Sequence, residues 1–133
     1  MRYPIVAGTF YPSEKQQLLD LIESSFSKTE NLNFNSINSI FVPNGKYAVF
    51  IDLYASAYSQ LKNVPETTSF IILGPNKFKQ GKPVAISQED WFTPMGKAEY
   101  DKNLAEMIKR YSTFAEFDDL AHKYEHSIEV QLP

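Results

Sequence analysis

Two short apolar runs constrain this chain more than any other feature. Ile37 to Val42 stops at Pro43, Ser69 to Leu73 stops at Gly74-Pro75, and the helix-length stretch Tyr47 to Leu61 lies between them. Neither run alternates apolar with polar residues, as a half-exposed strand does. Unbroken runs of this length suit strands covered on both faces, the condition of a parallel sheet. Strand, helix, strand in that order requires a right-handed crossover. Pro83 to Ser87 adds a third, shorter strand candidate. The expected class is α/β, a mainly parallel central sheet flanked by helices, in one domain over residues 1–133.

The rest of the chain supplies the flanking layers. Residues 1–12 read as an irregular arm whose Tyr3, Ile5, Val6, Phe10 and Tyr11 seek burial. Ser13 to Lys28 reads as a helix: Ser13 and Gln16 have capping-box spacing, and Leu18, Leu19, Ile22 and Phe26 share a face. Residues 29–36 form a polar loop, and 88–97 a loop with Trp91, Pro94 and Gly96. Tyr100 to Tyr111 has the clearest helical period, through Leu104, Met107, Ile108 and Tyr111. Acids open it and Lys109 and Arg110 close it, as the helix dipole prefers. Asp118 and Asp119 precede a last helical segment, Ala121 to Leu132. Three strands make a small sheet, and Ile128, Val130 and Leu132 place apolar residues close to Pro133. Both features suggest a partial domain, its open face covered by a protein partner or a second copy of the chain.

Composition narrows the chemistry. The chain has no cysteine, which removes disulfides, thiolate metal sites and a cysteine nucleophile. A net charge of −3 is a poor match for nucleic acid, whose phosphates need a basic excess. The first residues lack a signal peptide's apolar core, and no run reaches the ~18 apolar residues of a membrane span. The expectation is a cytoplasmic protein that engages neither membrane nor nucleic acid.

Three places could carry chemistry. The chain's two histidines lie in H122-K-Y-E-H126, which matches the H-x-x-E-H pattern of inverted zinc peptidases. On a helix both imidazoles would share a face, with Glu125 as general base and Glu129 one turn on. The competing reading is a helix-start segment whose histidines cap, pair with acids or line a cleft. Ser127 beside His126 is a poor catalytic pair, because neighbours on a helix point about 100° apart. The second place is the pair of loops at the strand ends, Pro43-Asn44-Gly45-Lys46 and Gly74-Pro75-Asn76-Lys77. Ligands of open parallel sheets bind beyond such ends, and Lys46 and Lys77 could attract an anion there. Ordinary turn chemistry accounts for the same residues. The third is a tyrosine stripe, Tyr47, Tyr54 and Tyr58, read as core with satisfied hydroxyls.

Taken together, these segments resemble one family. AGTFYP (7–12) before a helix, VPNGKYAVFIDLYASAYSQL (42–61), IILGPNK (71–77), WFTPMG (91–96) and AHKYEHSIEVQLP (121–133) resemble successive motifs of the Memo family. That resemblance implies a fold similar to class III non-haem iron extradiol dioxygenases and a chain about twice as long, of which this is the N-terminal half. It implies iron or another divalent metal held by the histidines of P-H-A-G and G-P-N-H, with a third ligand from the later half. Here those two positions are Asn44 and Lys77, and Ala-Gly of the first motif becomes Gly45-Lys46. A neutral amide is a weak ligand, and an ammonium has no lone pair to give. Glu125 and His126, which line the family's cleft, remain as catalytic candidates. Asn44, Lys46, Lys77 and His122 are ligand-binding candidates, with no metal and no cofactor expected. The resulting expectation is a non-catalytic relative, a pseudoenzyme that binds a partner or a small anion. The alternative is a metal-dependent oxidoreductase or hydrolase using His122 and His126, completed by another chain.

Overall fold

A computed structural model describes residues 1–133 apart from Asn31, Asn33 and Asn35. The expected polar loop over 29–36 therefore lies partly outside the described residues. The architecture is α/β and, among the described residues, has three α-helices and two small sheets: α1 (Lys15–Phe26), α2 (Tyr47–Tyr58) and α3 (Lys102–Tyr111), β1 (Ala85–Ile86) paired in parallel with β4 (Glu116–Phe117), and β2 (Trp91–Thr93) paired antiparallel with β3 (Gly96–Ala98). No described helix is long and apolar enough to cross a membrane.

The core forms where α1 packs on α2 beneath the N-terminal arm. Val6, Tyr11, Leu18, Tyr47, Tyr54 and Val130 are its buried members, with Phe10, Leu21, Ile22, Phe50 and Ile51 packed around them. Leu18 and Ile22 lie on the face that helical spacing assigns, and Ser25 is small enough to be buried at the helix contact. The expected capping box is absent. Glu14 occupies the cap position without a side-chain bond, while Gln16 donates to Asp20 one turn on at 2.7 Å. A capped start is seen instead at α3, where the Asp101 side chain accepts from the Leu104 amide.

The arm is less irregular than its prolines and glycine suggest. Arg2 donates its amide to Asp90 at 2.9 Å and accepts from the Phe92 amide at 2.8 Å, so it lies as an extra edge along β2. The stretch around Trp91, read as a loop, is thus a three-component patch of sheet. Thr93 and Met95 turn the hairpin, with the Thr93 hydroxyl accepting from the Met95 amide at 3.1 Å.

Two of the expected elements do not form. The central parallel sheet is not built: among the described residues, no backbone hydrogen bond joins 37–42 or 69–73 to another segment. Among the described residues, parallel pairing is limited to the short β1–β4 ladder and the isolated bridges Arg2–Trp91 and Ala7–Tyr11. A parallel strand needs neighbours on its edges and cover on both faces, and these segments have neither: Phe41 is fully exposed and Leu73 is 90% exposed.

The helix expected over Ala121 to Leu132 is also absent. Two 3-10 turns, Asp119–His122 and Glu129–Gln131, stand in its place. A helix would bond the His126 amide to the His122 carbonyl. Instead the Glu125 side chain takes the His126 amide at 3.0 Å, and Arg2 takes the carbonyls of His122 at 3.0 Å and Glu125 at 2.7 Å. Tertiary and local side-chain bonds have claimed the groups a helix needs.

Candidate functional site

The candidate residues come together through the two strand-end loops and the segment after His122. Glu125 is the junction. Its Oε2 accepts from the Lys77 amide at 2.9 Å, and its Oε1 accepts from the amides of His126 at 3.0 Å and Ser127 at 2.9 Å. One buried carboxylate thereby fastens the Gly74–Lys77 loop to its own turn. Burial alone would raise its pKa, but the Ser127 and Lys77 amides and the Lys77 ammonium outweigh it and hold Glu125 below the usual glutamate value. Glu125 is therefore an anion that orients backbone, with its lone pairs already directed at three N–H groups.

Lys77 carries the connection further. Its Nζ donates to Asn44 Oδ1 at 2.7 Å, bridging the two loops. On the other side the His126 ring meets Phe10 edge-on, with centroids 4.5 Å apart, and Lys46 Nζ stands 5.9 Å from the centre of the Phe10 ring. Asn44 and Lys46 belong to one loop, so these contacts close into a ring: Asn44, Lys77, Glu125, His126, Phe10, Lys46. Burial, and secondarily the Lys77 ammonium, lower the pKa of His126, so the imidazole is neutral near pH 7. The ring presents two ammonium groups, one amide and one neutral imidazole.

Close backbone approach sets the loop positions. At Gly74 a side chain would collide with Ser127 Oγ and Ile128, and at Gly45 it would enter the Phe50 ring. Tyr54 fixes the Asn44 loop, its hydroxyl accepting from the Gly45 amide at 2.8 Å and donating to the Gly45 carbonyl at 3.0 Å. Gln131 adds a bond to the Pro43 carbonyl at 3.0 Å. The tyrosine stripe thus serves core and site together. Tyr47 bonds the Val130 carbonyl and Tyr58 bonds Gln131, and burial pushes the Tyr58 hydroxyl up to about 12.

His122 stands apart from this ring. It is placed against Trp91, with ring centroids 5.9 Å apart, and burial lowers its pKa despite the nearby Ala85 carbonyl and Asp119. Its Nε2 is buried without a hydrogen-bond partner among the described residues. Because the expected helix is missing, the shared face that would have aimed both imidazoles at one point is missing too. Glu129 is likewise committed elsewhere. Arg2 Nη1 at 2.8 Å, the Ile5 and Val6 amides and the Tyr11 hydroxyl at 2.9 Å all donate to its carboxylate. Arg2 also lies 4.0 Å over the Trp91 ring. A shallow cavity of about 480 Å³ on this arm side, lined by Arg2, Tyr3, Ile5, Leu120 and Tyr124, includes none of the ring residues.

Sequence reasoning missed Phe10, Tyr54 and Gln131 as parts of the site, and Arg2 and Glu129 as its supports. Only Glu129 carried a signal, a carboxylate inside an apolar run. The other partners are made by distant segments meeting.

Comparison with known proteins fits these motifs. A family model described as Memo-like protein matches residues 2–133. A MEMO1 family protein of Pyrococcus abyssi is 46% identical over 138 residues, covering 100% of this chain and 46% of the relative. A MEMO1 family protein of Thermococcus kodakarensis is 44% identical with the same coverage. One from Methanococcoides burtonii is 38% identical over 133 residues, covering 48% of the relative. The chain therefore spans about half the length of the curated relatives it matches. With a family model covering nearly all of its residues, the chain belongs to the Memo family.

Proposed function

We propose that this chain is a non-catalytic Memo-family scaffold whose ring of loop residues binds a small anion, a phosphate or carboxylate, in place of a metal. The observation that carries the reading is the Lys77–Asn44 contact, an exposed ammonium held at 2.7 Å from an amide oxygen by two loops that Glu125 and Tyr54 pin in place. The resemblance implies iron or another divalent metal at these positions, and the residues present do not fit one. Lys77 directs N–H groups and a positive charge where a cation would need lone pairs, and Asn44 Oδ1 already accepts from it. The same donors suit an oxyanion. Lys77 supplies a charge-assisted hydrogen bond, Lys46 a second positive charge, and the neutral His126 ring and the Asn44 amide further hydrogen bonds. The extradiol-dioxygenase-like fold and a cytoplasmic setting belong to this reading.

The test is a titration of the full chain with inorganic phosphate, followed calorimetrically, for the parent and Lys77→Gln. The parent is expected to bind, and the variant to bind about tenfold more weakly or worse, the scale of one lost hydrogen bond to a charged group. Equal affinity in both proteins, or no binding by the parent at millimolar phosphate, contradicts the reading.

A further inference from the structure

We propose that Asn44–Gly45 is a self-modifying site: the Asn44 side-chain amide cyclises onto the Gly45 nitrogen and opens in water to a carboxylate that takes the Lys77 ammonium and closes the anion site. The closing step rests on the anion reading above, and the conversion itself does not.

The first observation is the sequence. Asn44 is the one asparagine of the chain that precedes a glycine. The backbone nitrogen of a following residue closes a small, unstrained ring when it attacks an asparagine side-chain carbonyl, and a glycine puts no Cβ in its way. Asn44 and Gly45 are half-buried, so water reaches the site and ammonia can leave it.

The second observation is the carbonyl under attack. Lys77 Nζ donates to Asn44 Oδ1 at 2.7 Å. As the Gly45 nitrogen adds to Cγ, negative charge develops on this oxygen, and an ammonium already bonded to it stabilises that charge. The third is the tether on the nucleophile. Tyr54 Oη accepts from the Gly45 amide at 2.8 Å and donates to the Gly45 carbonyl at 3.0 Å, so the nitrogen must leave this bond to reach Cγ. Lys77 therefore speeds the reaction and Tyr54 restrains it. Ahead of the loop, segment 37–42 makes no backbone hydrogen bond among the described residues, which leaves the Asn44 side of the bond freer than the Gly45 side.

The step balances with water as its co-reactant. The bond from the Gly45 nitrogen to Cγ forms, the Cγ–Nδ2 bond breaks, and the Gly45 proton leaves with Nδ2 as ammonia. Water then adds to either carbonyl of the imide and breaks that carbon's bond to the Gly45 nitrogen. At Cγ this gives aspartate, and at the main-chain carbon it gives isoaspartate. Either way a carboxylate replaces an amide beside Lys77. The resulting charge pair is stronger than the amide contact, and its negative charge opposes an incoming anion.

Mass spectrometry of the 133-residue chain, aged in mildly alkaline buffer, tests the conversion. The peptide holding Asn44 is expected to turn from amide to acid ahead of every other asparagine, about tenfold more slowly in Lys77→Gln and severalfold faster in Tyr54→Phe. In urea the parent and Lys77→Gln are expected to convert at one rate, because the fold makes the contact. No conversion at Asn44, or equal rates for the folded parent and Lys77→Gln, overturns the inference. A gap that persists in urea overturns the part assigned to the folded loop. Converted chains, separated from the parent by their extra negative charge, are expected to bind inorganic phosphate about tenfold more weakly or worse, as is Asn44→Asp. Binding equal to the parent's overturns the closing step and leaves the anion reading standing. Conversion in a parent that binds no phosphate overturns the anion reading and the closing step, and supports the conversion.

Discussion

Val130 and Leu73 are both apolar, and both lie within a few residues of the ring around Lys77, yet Val130 is 1% exposed and Leu73 90%. On the arm side, Arg2 and Glu129 draw the N-terminal arm across the segment after His122, the guanidinium bonding Glu129 and the His122 and Glu125 carbonyls and the carboxylate also taking the Ile5 and Val6 amides. Val130 is buried behind that bonded layer. On the other side, 69–73 has an equally apolar sequence but neither an edge partner nor a cover. The difference teaches that apolarity alone does not bury a segment. A buried segment also needs its backbone groups satisfied, and here the arm does this for one region and no described residue does it for the other.

The comparison breaks most readily at Glu129. Glu129→Ala leaves the buried Arg2 guanidinium without its charge partner, with only the His122 and Glu125 carbonyls to bond, and takes the acceptor from the Ile5 and Val6 amides, and a loss of roughly 3–5 kcal/mol of stability is expected in urea denaturation. A loss under ~1 kcal/mol would mean that the arm is not what seals this side. A smaller effect is expected where the sealed core reaches the ring. Tyr54→Phe removes both hydrogen bonds to Gly45. It is expected to cost about 1 kcal/mol and to weaken phosphate binding severalfold, because the Asn44 loop loses its anchor. Unchanged binding with reduced stability would separate the loop's anchoring from the ring's function.

Acid supplies the gentlest probe. His122 and His126 have lowered pKa values in the folded chain, chiefly through burial, so the unfolded chain takes up protons first. Their contribution is complete above the unfolded value of about 6.5 and is lost as pH falls from there through the folded values. Glu125, also lowered, keeps its contribution above the ordinary glutamate range and loses it as pH falls below that range. Urea midpoints are therefore expected to decline from pH 7.5 to 5.5 and again at lower pH. A midpoint that is flat or rises on acidification contradicts the neutral, half-buried imidazoles.

Much of the local structure is legible in the residues, and the long-range structure is not. The periods of Leu18–Ile22 and Leu104–Ile108 mark α1 and α3, and the apolar stretch from Tyr47 marks α2. The segment after His122 shows why periodicity misleads. Its apolar spacing suits a helix, but Glu125 and Arg2 compete for the amides and carbonyls, and Arg2 comes from the other end of the chain. The unbroken runs at 37–42 and 69–73 report correctly that these residues want cover, but not which residues supply it. In the site, Asn44, Lys46, Lys77, Glu125 and His126 were nameable from motif positions, whereas Phe10 and Tyr54 join them only through packing. His122 separates from His126 because the helix that would have aligned them does not form.

The central proposal is that the Lys77 ammonium, paired with Asn44, stands where the Memo resemblance implies a metal cation. The most direct measurement is metal content and binding stoichiometry for the full chain offered iron, zinc and copper, beside the Asn44→His/Lys77→His double variant. The account predicts no stoichiometric metal in the parent and a gain in the double variant. One tightly held metal per parent chain, lost on His126→Ala, would contradict it.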